Sequence, residues 1–293
     1  MKPVAFDLVK VSTVAEACAL LGDDSREARV LAGGQSLIPM LNFRLAAPDL
    51  LIDLNEVAEL SYIRDEDGDL LVGAMTRQRD LQRHVAGSDR WSLLAQALER
   101  IGHVPIRNRG TVGGSVSHAD PAAELCLATL VLNARLTARS GRGGREIPAE
   151  EFFVSHYVTA LDPDEILTGI RLPAPPAGSG AALHEVARRR GDFALVSVAA
   201  LLSVSDGNVI TEARLGYGSM GSRPLRAYQT EAALVGQQAT PQVFAEAAET
   251  IEDQLHPHSD LHASRDYRMD VAKALTRRAL SGARAACAGP APS

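Results

Sequence analysis

Short apolar runs alternate with apolar positions spaced three to four apart along the first third of the chain, which predicts strands interleaved with amphipathic helices. Residues 29–32 read as a buried strand that ends in Gly33-Gly34, and a helix over 36–45 follows with Ser36 placed to cap it. Strands are predicted over 50–54 and 69–74, and Thr76 can cap a helix that reaches about residue 84. Apolar residues at 91, 94, 95, 98 and 101 predict a further helix. A glycine-rich loop over 102–119 comes next, and Asp120-Pro121 has the composition of a helix start running to about 131. Residues 134–140 and 165–172 read as strands.

The stretch 173–180, Pro-Ala-Pro-Pro-Ala-Gly-Ser-Gly, has no apolar period and reads as a linker. Beyond it, 182–189 and 209–217 read as strands, and 195–205 is apolar enough to be either strand or helix. Helices are expected near 226–236, 241–254 and 266–284, with a frayed tail over 285–293. The class is α+β. The expected division is a first domain over 1–174 with parts at 1–55 and 56–174, a linker at 175–181, and a second domain over 182–284.

Composition narrows the function classes. The 293 residues suit two or three domains, and 46% hydrophobic with 23% charged residues is ordinary for a globular protein. A net charge of −6 argues against nucleic acid as the main partner, since phosphate binding needs clustered Lys and Arg. No apolar run approaches the roughly 20 residues of a bilayer span. The N-terminal residues lack the pattern of a signal peptide, so a cytoplasmic location is expected, with peripheral attachment at the inner face of a membrane left open. Cys18, Cys126 and Cys287 are far apart and form neither a disulfide framework nor a CxxC pair. A [2Fe–2S] cluster usually takes four cysteines, so none is expected on this chain. Cys18 and Cys126 lie in apolar helical stretches and are expected to be inert core residues.

Two segments carry candidate chemistry. One is Leu31-Ala32-Gly33-Gly34-Gln35-Ser36, between a strand and a helix; the other is Thr111-Val112-Gly113-Gly114-Ser115. Paired glycines let backbone N–H groups converge on a diphosphate with no side chain in the way, and nearby hydroxyls add donors. Either loop alone is weak evidence, because glycine pairs are common in turns. Other patterns fail inspection. Gly216-Tyr-Gly-Ser-Met-Gly221 fits GxGxxG, but Arg223-Pro224 stands where a dinucleotide fingerprint needs a helix. No GxxxxGK[ST] occurs. His256, His258 and His262 read as solvated surface, and Ser117-His118-Ala119-Asp120 is too local for a triad.

The chain resembles the FAD-binding medium subunits of molybdenum hydroxylases, a family that includes carbon monoxide, nicotine and caffeine dehydrogenases and the flavin domain of xanthine dehydrogenase. Nearly the whole chain carries the likeness. It begins with Pro3-Val-Ala-Phe6 and Ala32-Gly-Gly-Gln-Ser-Leu-Ile-Pro39, then runs through Leu51-Ile-Asp-Leu-Asn55 and Ile106-Arg-Asn-Arg-Gly-Thr-Val-Gly-Gly-Ser115. Ala119-Asp-Pro-Ala-Ala-Glu124, Glu165-Ile-Leu167, Arg188-Arg-Arg-Gly-Asp-Phe-Ala194, Tyr267-Arg268 and Arg277-Arg-Ala-Leu280 complete it.

The resemblance implies a two-part FAD-binding domain of the PCMH type, followed by a smaller C-terminal domain of antiparallel sheet plus helices. Both glycine loops, with Leu31, Ala32, Gly33, Gly34, Gln35, Ser36 and Leu37 in the first and Thr111, Gly113, Gly114 and Ser115 in the second, would clasp the FAD diphosphate. Glu124 would accept a hydrogen bond from an FAD hydroxyl, Leu167 would line the cleft, and Phe193 would lie against the isoalloxazine. His184 matches a position where some relatives place a polar flavin contact. No catalytic acid, base, nucleophile or metal ligand is implied here. Molybdopterin-bound molybdenum would reside on a large partner subunit and [2Fe–2S] clusters on a small one, in a dimer of heterotrimers that delivers electrons to an external acceptor. The substrate would be an N-heterocycle or aldehyde rather than carbon monoxide. Departures include Gln35 where carbon monoxide dehydrogenases often have His, Ser115 where many relatives have Asn, and the stretch 216–223. A self-contained flavin oxidase of the related fold and a non-catalytic flavin carrier are the alternatives.

Overall fold

The computed structural model describes residues 2–287. They form two compact units. One holds the chain up to His84 together with His103–His118 and Asn133–Pro173; the other holds Val85–Gly102, Ala119–Leu132 and the described chain from Ala174 onward. The linear division expected from the sequence thus differs from the spatial grouping. Two segments that precede the linker pack with the residues that follow it.

The first unit contains two sheets. Strands Asp7–Lys10, Leu50–Asp53 and Ala28–Leu31 lie side by side in that order, and both pairings are parallel. Helices Val14–Leu21 and Leu37–Asn42 make the crossovers that parallel strands require. Thr13 caps the first of these, accepting from Glu16 N at 3.2 Å. The central strand is the apolar one: Leu50, Leu51 and Ile52 are buried, and Ile52 packs with Val11, Val14, Ala17 and Leu54. The second sheet is antiparallel, in the order Ile63–Glu66, Asp69–Gly73, Ile166–Leu172, Arg135–Ser140, Gly143–Pro148. Its middle strand, Ile166–Leu172, shifts register between Leu167 and Gly169.

Several sequence expectations change here. The glycine-rich stretch 102–119 is not an open loop but contains helices Val104–Arg109 and Val112–His118, so Gly113 and Gly114 are helical. Asp120-Pro121 does not start a helix. Asp120 Oδ1 accepts from Ala122 N at 2.9 Å, which makes a turn, and the helix begins at Glu124 and runs to Val131. Short strands at Asp7–Lys10 and Ile63–Glu66 escape the periodicity because they are largely exposed and carry too few apolar residues to show an alternation.

In the second unit, strands Gly180–Ala187, Ala194–Val204, Ile210–Gly218 and Leu225–Arg226 form an antiparallel sheet in chain order. The ambiguous apolar stretch is therefore a strand, and its alternate side chains serve two faces. Val196, Val198, Ala200 and Leu202 share a core with Leu215, Tyr217 and the helix Arg265–Ala286, where Tyr217 Oη lies 2.9 Å from Thr276 Oγ1. On the opposite face Gly216 meets Leu127 and Val131 of the helix Glu124–Val131. The edge strand Gly180–Ala187 is closed by side chains of the helix Ser92–Arg100. Gln96 Oε1 accepts from Leu183 N at 2.9 Å, and Gln96 Nε2 and Arg100 Nη2 donate to the carbonyls of Ala181 and Leu183. Helices Tyr228–Leu234 and Pro241–Glu249 complete the unit, and Arg265–Ala286 extends into the stretch expected to fray. Residues 288–293 of that tail lie outside the described residues.

Candidate functional site

The strand Ala28–Leu31 delivers the chain into residues 32–36, which turn into the helix Leu37–Asn42. Gly34 makes the turn possible: its φ of +75° lies in the left-handed region that costs an L side chain about 1–2 kcal/mol. The consequence is a row of open donors. Among the described residues, none of the backbone N–H groups of Gly33, Gly34, Gln35, Ser36 and Leu37 has a protein acceptor. The carbonyls of the same stretch are used, Gly34 O by Ile38 N at 3.1 Å and Ser36 O by Met40 N at 3.2 Å. Ser36 occupies the cap position but makes no side-chain cap bond. Successive unsatisfied N–H groups on a glycine turn are the backbone chemistry that holds an anion.

The second glycine segment differs. Val112 N donates to Thr76 O at 2.9 Å and Gly113 N to Ala74 O at 2.8 Å. Gly114 N donates to Thr111 Oγ1 at 3.1 Å and Ser115 N to Thr111 O at 3.2 Å. Its backbone donors are therefore already engaged within the chain. The glycines serve close packing instead. A Cβ on Gly113 would lie 2.5 Å from Ala74 Cβ, and one on Gly114 would lie 2.6 Å from Thr111 Oγ1 and 3.4 Å from Ala32 Cβ. Thus Gly114 faces the first loop. Gly33 in turn sits on Arg109 and Gly110, where a Cβ would come within 2.9 Å of Gly110 Cα. The two glycine segments, distant in sequence, pack against one another in the first unit.

Leu167 is buried in the same unit, at the register shift of the strand Ile166–Leu172. Asn55 and Arg77 were not singled out as site residues from the sequence, yet they span the two glycine segments. Asn55 Nδ2 donates to Ala32 O at 3.1 Å, Arg77 Nη2 donates to Asn55 Oδ1 at 2.7 Å, and Arg77 Nη1 donates to Arg109 O. No spacing rule flags a lone Asn and a lone Arg; only the three-dimensional pairing does.

The remaining candidates belong to the second unit. Glu124 opens the helix Glu124–Val131 and is only 7% exposed. Burial pushes its pKa up to about 7, the charges of Glu185 and Asp120 push the same way, and its own backbone N–H and Arg100 oppose. A carboxyl poised near neutrality can accept or donate a hydrogen bond. Glu185, also raised by burial, stands directly opposite Ser197, and Glu185 Oε2 and Ser197 Oγ are both buried without a partner. His184 is half-buried, and burial, with Arg100 and Arg278, holds its pKa down. Phe193 is 65% exposed, so it is not a core aromatic.

The rejected motifs can be placed as well. Gly216 and Gly218 lie in the strand Ile210–Gly218 rather than before a helix. His262 Nδ1 is 3.3 Å from Arg188 Nη1, and no metal-binding group of His, Cys, Asp and Glu occurs among the described residues. Nor is any described helix long and apolar enough to cross a membrane.

Two known domain families match the chain. Residues 4–175 match the FAD binding domain in molybdopterin dehydrogenase, and residues 181–283 match the CO dehydrogenase flavoprotein C-terminal domain. The chain is 39% identical to subunit alpha of the 6-hydroxypseudooxynicotine dehydrogenase complex of Paenarthrobacter nicotinovorans, covering 97% of this chain and 96% of that one. It is 36% identical to the caffeine dehydrogenase subunit beta of a Pseudomonas strain, with the same coverage. Among solved structures, carbon monoxide dehydrogenase from Hydrogenophaga pseudoflava aligns with a TM-score of 0.95 and 36% identity over 98% of this chain and all of that one. Quinoline 2-oxidoreductase from Pseudomonas putida 86 aligns with a TM-score of 0.92 and 38% identity over 97% and 99%. The chain belongs to the family of FAD-binding medium subunits of molybdenum-containing dehydrogenases, and it is an oxidoreductase subunit.

Proposed function

We propose that this chain is the electron-delivering subunit of a heterotrimeric molybdenum hydroxylase. Substrate is oxidised at molybdenum on a large subunit, and electrons reach this chain through [2Fe–2S] clusters on a small subunit and leave to an external acceptor. The observation that carries the reading is the row of five unpaired N–H groups from Gly33 to Leu37, which fits the diphosphate of FAD. FAD, when bound, supplies a centre that accepts electrons singly and releases them in pairs.

The chain's own residues bind and orient. Gly33 to Leu37 hold the diphosphate through backbone donors, and Thr111, Gly113, Gly114 and Ser115 shape the adjoining wall through small side chains rather than N–H groups. Leu31, Ala32 and Leu167 would give the site apolar lining. In the second unit, Glu124 offers a carboxyl for an FAD hydroxyl and Phe193 an exposed aromatic face for a flavin ring. Relatives named for a nicotine derivative, caffeine and glyceraldehyde favour an N-heterocycle or aldehyde as the substrate of the complex.

The test is purification from the native source by a tag on this chain. Co-purifying iron and molybdenum, with flavin reduction by substrate only in the complex, support the reading. Substrate turnover by the metal-free chain would assign a self-contained oxidase instead.

A further inference from the structure

Peptide planes in a glycine turn flip easily, so open N–H groups need something to hold their directions. Each peptide carries a C=O opposite its N–H, and fixing the carbonyl aims the N–H. The carbonyl of Ala32 shares a plane with Gly33 N–H and accepts from Asn55 Nδ2 at 3.1 Å. The carbonyl of Gly33 shares a plane with Gly34 N–H and faces Gln35 Nε2 at 3.4 Å. Asn55 is held in turn: its backbone N–H donates to Asp53 Oδ1 at 2.9 Å, and Arg77 Nη2 donates to its Oδ1 at 2.7 Å. The other arm of Arg77 takes the carbonyl of Arg109, on which Gly33 rests. Main-chain pairing of Arg77 with Thr111 and the bond from Gln78 N to Gly110 O at 2.9 Å fix the base of that arm.

We propose that Arg77 and Asn55 are positioning residues for FAD binding, a two-residue strap that presets the peptide plane between residues 32 and 33 and ties it to residues 109–111. The inference rests on the diphosphate reading of residues 33–37. Arg77 suits the task because its planar fork donates in two directions at once, which an ammonium on a flexible stem does not do with the same geometry. The strap also draws two rim carbonyls, Ala32 O and Arg109 O, into hydrogen bonds.

The test is titration of FAD into the flavin-depleted full chain, followed by flavin fluorescence, for Asn55→Ala, Arg77→Met, Arg77→Lys and the double variant Asn55→Ala/Arg77→Met. We expect Asn55→Ala and Arg77→Met each to weaken binding about tenfold or more through lost preorganisation. The double variant should be no more than about threefold weaker than the worse single one, because both cut one strap. Arg77→Lys, which keeps charge and stem and so remains informative where Arg77→Met does not fold, should recover little. Unchanged affinity with a lowered melting temperature, losses that multiply, or full rescue by Lys would each overturn the proposal. Gly34→Val separates the two readings: retained affinity there removes the diphosphate site itself, whereas lost affinity with neutral strap variants removes only the strap.

Discussion

Gly33 rests directly on the main chain of Arg109: a methyl group at Gly33 would overlap the Arg109 carbonyl oxygen and stand 2.9 Å from Gly110 Cα. No flexible side chain is available to move aside. Gly33→Ala should therefore push the two glycine segments apart and weaken FAD binding more than tenfold, while far-ultraviolet circular dichroism stays near that of the wild type. Flavin content after dialysis against excess FAD checks this.

Gly34→Val meets a different obstacle. The left-handed φ of +75° would cost a β-branched residue at least about 1–2 kcal/mol, and its Cβ would stand 3.1 Å from Ile38 Cγ1. The turn is expected to relax toward a negative φ and misdirect the N–H row. We expect loss of flavin with a melting-temperature drop of only a few degrees; a variant that retains flavin would show that the turn is not the cradle.

Gly216→Val should damage stability rather than flavin contact. Its GxGxxG motif is not a dinucleotide fingerprint, so substitution there is expected to affect flavin binding far less than a change in the glycine loops. The dinucleotide reading does fail, but the position is not neutral, because a Cβ there would overlap Val131 and come within 2.7 Å of Leu127 Cδ1. Overpacking of this kind costs about 1–3 kcal/mol. Chemical denaturation should show it, and an unchanged midpoint would mean that the helix Glu124–Val131 yields freely.

Those contrasts show what was legible in the sequence. The first glycine turn could be read because a strand, a glycine pair and a helix follow one another locally. The helical form of the second could not, since Gly-Gly-Ser has poor helix propensity and the helix start is anchored by long-range bonds from Val112 N and Gly113 N to Thr76 O and Ala74 O. The apolar stretch at Ala194–Val204 was ambiguous because both faces of its sheet are covered, which removes the polar alternation. The placement of Ala119–Leu132 with the later strands is a long-range packing fact, and Asn55 and Arg77 gain meaning only from their partners.

The pH dependence of stability should carry the signature of Glu124. Its folded pKa of about 7 lies above the unfolded value near 4.5, so the folded state binds the extra proton between them. Stability from this group is therefore full below about pH 4.5, falls as pH rises, and reaches its low plateau above about pH 7. The full shift corresponds to about 3 kcal/mol, an upper bound for a group in contact with other charges. Glu124→Gln should flatten the difference between unfolding free energies at pH 5 and pH 8. An equal slope in the variant would assign the effect to Glu185, whose pKa is raised in the same direction.

If the N–H row of Gly33 to Leu37 receives the diphosphate, it differs from the N–H groups of Val112 to Ser115, which are already engaged within the chain. Hydrogen exchange followed by mass spectrometry, with and without FAD, reads both rows in one experiment. Residues 33–37 should exchange fast in the flavin-free chain and become strongly protected once FAD is bound, while residues 112–115 are protected in both states. Protection that appears at 112–115 alone, with residues 33–37 exchanging equally fast in both states, would show that the diphosphate does not bind to the first glycine turn.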